Sequence, residues 1–103
     1  KRQRGLLKWT LPENVITGIP AKLIIIHKIP KRLGEQQLHV TLKDGLGKRI
    51  ERKVLKVIGA GEIEVIFDVP KIVPGNKTSF SVFAGKDYSN NLEHLTSKPI
   101  PIK

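Results

Sequence analysis

The apolar residues of this chain recur at every second position and not at the 3.6-residue period of a helix. In Gln37-Leu38-His39-Val40-Thr41-Leu42-Lys43, Leu38, Val40 and Leu42 share one face, and His39, Thr41 and Lys43 share the other. That is the pattern of a half-buried strand in an antiparallel sheet. Residues 62–69 repeat it, with Ile63, Val65, Phe67 and Val69 inward, Glu62, Glu64 and Asp68 outward, and Ile66 as the exception. Residues 78–84 are a third copy and place Phe80, Val82 and Ala84 together. These runs are rich in β-branched and aromatic residues, which pleated surfaces favour.

Four further segments read as strands. Residues 21–29 carry the aliphatic run Leu23-Ile24-Ile25-Ile26, which suits a strand covered on both faces or a twisted one. In residues 48–58, Ile50, Val54 and Val57 cannot all face one way, so a bulge or strand switch is expected near Lys53. Residues 6–11 form a first strand and residues 95–102 a last one. Pro99 and Pro101 require that last strand to lie at an edge or to turn their nitrogens away from the neighbour, because proline donates no ladder hydrogen bond.

Turn chemistry separates the strands. The segment Lys43-Asp44-Gly45-Leu46-Gly47-Lys48 carries the Asp-Gly hairpin signal. Gly59-Ala60-Gly61 makes a tight turn, and Val73-Pro74-Gly75-Asn76 fits a type II turn. The longest polar stretch, residues 85–91, has room for one helical turn. No segment makes an amphipathic helix. About seven short strands with turns between them define an all-β antiparallel sandwich.

The order of these pieces resembles the immunoglobulin-like or fibronectin-III-like accessory domains of bacterial extracellular and surface proteins. The resembling residues are Gly18-Ile19-Pro20-Ala21 before an aliphatic strand, and Leu38-His39-Val40-Thr41-Leu42-Lys43-Asp44. They continue through Gly59-Ala60-Gly61, residues 65–70, and Val73-Pro74-Gly75 before Phe80-Ser81-Val82-Phe83. The resemblance covers about residues 9–102 and implies a noncatalytic spacer or attachment module in a larger, exported protein at the cell surface. It makes residues 9–103 the domain and residues 1–8 a basic tail or linker. The lack of an initiator Met agrees with a piece of a longer protein.

Composition narrows the chemistry. The 103 residues contain no Cys, which removes disulfides, thiolate zinc sites and cysteine nucleophiles together. A membrane-spanning helix needs about 20 apolar residues, far more than the longest run here, so no membrane insertion is expected. The three histidines, His27, His39 and His94, have no metal-binding spacing, and Asp87, Asn90 and Asn91 are the one cluster of calcium-type ligands. Gly45-Leu46-Gly47-Lys48 lacks the spacing of a phosphate loop. Serines 79, 81, 89 and 97 have no triad partners. The expectation is therefore no enzyme, no cofactor and no metal. Asn76-Lys77-Thr78 fits a glycosylation acceptor on a turn.

Charge is the remaining handle. Nineteen Lys and Arg against nine Asp and Glu give +10 at pH 7, and removing the first four residues still leaves +7. Such an excess attracts polyanions. The candidate residues are Lys28, Lys31, Arg32, Lys48, Arg49, Arg52, Lys53 and Lys56, with Trp9 and Tyr88 as candidate sugar-stacking rings. Nucleic acid is the less favoured polyanion, since single-strand binders interleave aromatic platforms with their basic groove. The expected partners are neighbouring domains of the same polypeptide and an acidic or sulfated polysaccharide. Whether the two basic groups converge on one face separates a binding module from a plain spacer. A partner strand added along the edge at Ile100-Pro101-Ile102 is a further way for such a module to act.

Overall fold

The computed structural model describes residues 7–87 and 90–102. Its strands are β1 (Leu7–Thr10), β2 (Ala21–Lys28), β3 (Gln36–Asp44), β4 (Arg49–Val57), β5 (Ala60–Phe67), β6 (Lys77–Asp87), β7 (Asn90–Thr96) and β8 (Ile100–Pro101). They form a three-stranded sheet, β1-β2-β5, and a five-stranded sheet, β4-β3-β6-β7, with β8 also on β6. Every strand pairing is antiparallel. The protein is all-β, and the core lies between the two sheets.

Alternation decides which side chains enter that core. Leu38, Val40 and Leu42 from β3, Phe80, Val82 and Ala84 from β6, and Val65 and Phe67 from β5 are buried. The Phe67 and Phe80 rings meet at 6.0 Å between centroids, inclined at 41°. Burying one such side chain is worth roughly 1.5 to 3 kcal/mol. The aliphatic run in β2 also alternates: Leu23 and Ile25 are fully buried, whereas Ile24 and Ile26 are half-buried on the outer side.

Four expectations need adjustment. The irregularity in β4 sits at Ile50, between the pairs Leu42–Glu51 and Lys43–Arg49, and not at Lys53. Ile50 is the residue that must stay with the core, so the extra residue is accommodated there. The polar stretch 85–91 is not a helical turn, because β6 runs to Asp87 and β7 resumes at Asn90. Ladder hydrogen bonds between these segments satisfy the backbone that a helical turn would leave exposed. The last strand is split into β7 and β8, with Pro99 in the gap. The edge at residues 100–102 is already occupied, since Val15 makes a parallel bridge to Ile102 and its N–H donates to Pro101 O at 3.2 Å.

The turns follow their residue types. Gly75 has φ 77° and ψ −5°, the third-position geometry of a type II turn. Asp44 is buried and its Oδ1 accepts from the N–H groups of Leu46 (2.8 Å) and Lys48 (2.9 Å), which closes the β3–β4 hairpin.

Candidate cationic groove on the five-stranded sheet

The outward side chains of the five-stranded sheet form rows across the strands, fixed by register. One row is Val54, His39, Phe83 and His94; the next is Arg52, Thr41, Ser81 and Thr96; the third is Arg49, Lys43 and Ser79. A fourth begins with Lys56 opposite Gln37. Neighbouring strands lie about 4.8 Å apart, so residues within a row touch.

The unpaired Ile50 matters here. In an unbroken strand Arg49 and Arg52, three positions apart, would face opposite ways. The register shift pairs Arg49 with Lys43 and so returns it to the outer face beside Arg52. Lys43, Arg49, Arg52 and Lys56 thus share one face. On β3 and β4 no carboxylate stands on that face, since Glu51 pairs with Leu42 on the core side, and Glu35 lies at its margin near Lys56.

Unequal side-chain lengths carve a groove into this face. Thr41 and Ser81 are short, whereas Phe83 and His94 on one side and Lys43 and Arg49 on the other are long. The groove is lined by Thr41, Lys43, Arg49, Arg52, Ser81, Phe83 and His94, and its volume is about 280 Å³. One wall is an aromatic row. The His39 ring stacks on Phe83 at 4.4 Å, inclined by 6°, and His94 meets Phe83 at 6.3 Å in a T-shaped contact. His39 points outward, as alternation requires, yet this packing leaves it 4% exposed and Phe83 7% exposed. Among the described residues, none of Lys43, Arg49 and Arg52 forms an ion pair.

The two basic groups do not converge as wholes: of the eight candidates only Arg49, Arg52 and Lys56 share this face, and the other five are dispersed. Lys48 lies in the β3–β4 hairpin, Lys31 and Arg32 in a 3-10 turn before β3, and Lys28 at the end of β2 in the other sheet. Lys53 pairs with Val40 and points to the core side, where its Nζ donates to Ile66 O and stands 5.4 Å from the Phe67 ring centroid. Trp9 is half-buried and packs against the core. Tyr88 lies outside the described residues, as does its neighbour Ser89. Lys43, Thr41, Ser81, Phe83 and His94 were not singled out by charge runs; alternation alone puts the first two on the polar face of β3.

The two remaining imidazole and carboxylate features are structural. His27 is buried at one end of the core with Nδ1 2.9 Å from Gly59 O, so that nitrogen carries the proton and donates. Glu93 is buried on the core side of β7, and its Oε2 accepts from the Leu7 N–H at 2.8 Å. Among the described residues no group of three or more His, Cys, Asp and Glu side chains gathers. No helix is long and apolar enough to cross a membrane.

Comparison with known proteins yields no relative: no family model, no curated protein and no solved structure matches the chain.

Proposed function

We propose that this chain is a noncatalytic immunoglobulin-like or fibronectin-III-like module of a larger exported protein, and that it attaches its parent to an acidic or sulfated polysaccharide. The observation that carries the binding is the gathering of Lys43, Arg49 and Arg52 around one groove on the outer face of the five-stranded sheet. Clustered cations raise the local concentration of a polyanion and speed its encounter.

The strand grouping supports the fold reading. β1, β2 and β5 stand where strands A, B and E do in an immunoglobulin sandwich, and β3, β6 and β7 where C, F and G do, with β4 extending that second sheet. The continuation of β1 at Val15 crosses to the last strand. Leu7 lies at the end holding His27 and Gly59, and Ile102 lies at the opposite end beside Asn76. Linkers leaving from opposite ends suit a spacer.

The test is retention of the intact chain on heparin, a neutral glycan matrix and single-stranded DNA under a salt gradient. Elution from heparin well above physiological salt, about 0.15 M, with none held by the neutral glycan, supports attachment. Elution at or below that salt from every matrix leaves only the spacer. Stronger retention on DNA moves the partner to nucleic acid.

A further inference from the structure

The groove across the cationic face has a chemistry more selective than its charge. Its floor is hydroxyl-bearing, Thr41 and Ser81; Arg52 stands at the end of that row, Lys43 and Arg49 line one side, and Phe83 and His94 line the other. It runs along the Arg52–Thr41–Ser81 row and so crosses the strands instead of following them.

We infer that this groove seats one sulfate-bearing sugar unit of a polysaccharide, with the sulfate among Lys43, Arg49 and Arg52 and sugar hydroxyls against Thr41 and Ser81. The inference rests on the polyanion reading above and adds to it a place, a chemical group and an orientation.

Three features choose this occupant. A carboxylate offers two oxygens in a plane and is matched by a single guanidinium, whereas three cations lining one groove suit a tetrahedral oxyanion with three free oxygens. The volume of about 280 Å³ lies below the roughly 300 to 1,000 Å³ of sites for drug-sized ligands, and suits a single sugar unit. A nucleic acid strand would need an open ring face for its bases. Phe83 offers none: His39 stacks on its ring at 4.4 Å and His94 meets it at 6.3 Å. Hydroxyl groups on the floor instead match the hydroxyl-rich rim of a sugar, since Ser and Thr both donate and accept.

The experiment uses the intact chain in isothermal titration at about 0.15 M salt. The probes are a heparin-derived tetrasaccharide, a hyaluronan tetrasaccharide that carries carboxylates only, and a single-stranded DNA oligonucleotide. The heparin fragment binds most tightly of the three. Ser81→Leu fills the floor at constant charge and Arg52→Lys keeps charge but loses the fork; each weakens the heparin fragment about tenfold. Lys56→Gln, on the same face outside the groove, weakens it by less than about twofold, as a distant charge should at this salt. Thr41→Val keeps the strand and removes one hydroxyl, so it serves if Ser81→Leu does not fold, and it weakens the fragment severalfold. Equal binding of hyaluronan or DNA overturns the sulfated-sugar assignment. Unchanged binding in Ser81→Leu and Thr41→Val, with Arg52→Lys and Lys56→Gln alike, overturns the groove and leaves a diffuse polyanion face. Absence of binding to all three probes, together with elution from heparin at or below physiological salt, overturns the polyanion reading itself.

Discussion

Lys53 and Phe67 meet across one edge of the sandwich, with the ammonium 5.4 Å from the ring centroid. Lys53 belongs to β4 of one sheet and Phe67 to β5 of the other, so a single side chain ties the two edge strands together. Its Nζ also donates to the carbonyl of Ile66 on the outer strand. The opposite edge has a counterpart of opposite charge, where Glu93 on β7 accepts from the Leu7 N–H of β1 at 2.8 Å. Charged side chains turned inward at edges also discourage pairing with another sheet.

Replacing Lys53 by Gln should lower stability by about 0.5 to 1 kcal/mol, the value of a partly exposed cation–π contact. It should shift heparin elution less than Arg52→Gln does, since Lys53 faces the core and Arg52 faces the groove. Urea denaturation and a heparin salt gradient on both variants check this. Equal elution shifts would place Lys53 on the binding face.

Glu93→Ala leaves a buried backbone N–H at Leu7 without its acceptor, which costs about 1 to 3 kcal/mol. Glu93→Gln keeps an acceptor oxygen and should lose less. Hydrogen exchange at the Leu7 amide reads the contact directly: protection drops in Glu93→Ala and is largely kept in Glu93→Gln. Unchanged protection in both would show that the Glu93 carboxylate does not hold this strand.

Phe67→Ala should cost roughly 3 to 5 kcal/mol, because the ring is fully buried against Phe80 and under Lys53. For a domain whose whole stability is about 5 to 15 kcal/mol, this removes much of it. Thermal or urea unfolding measures the loss, and a value below about 1 kcal/mol would contradict the burial.

Gly45→Ala tests a backbone-to-backbone contact between two turns. A Cβ at Gly45 would stand 2.9 Å from the Gly75 Cα, and the Gly45 N–H donates to Pro74 O at 2.9 Å. Neither turn can withdraw without breaking that hydrogen bond. We expect a loss of about 1 to 3 kcal/mol, seen as a lower melting temperature. Gly45→Ala melting with the unchanged protein would mean that the turns do not touch.

The period-two pattern of this sequence determined the fold class and most of the core, because alternation is a property of the strand's own backbone. It placed Leu38, Val40 and Leu42, Val65 and Phe67, and Phe80, Val82 and Ala84 inward, and it put Gly75 in a type II turn. Only the tertiary structure decided which outward residues meet. His39, Phe83 and His94 are far apart in sequence and share a row because β3, β6 and β7 pair in one register. Arg49 joins Arg52 because of one unpaired residue, and Lys53 leaves the basic set because it lies one position from Arg52 on the opposite face. The charge of +10 was legible in composition, but the meeting of Lys43, Arg49 and Arg52 on one sheet face was not. Local pattern fixes which side of a strand a residue occupies; register between distant strands fixes its neighbours, and no local signal encodes that choice.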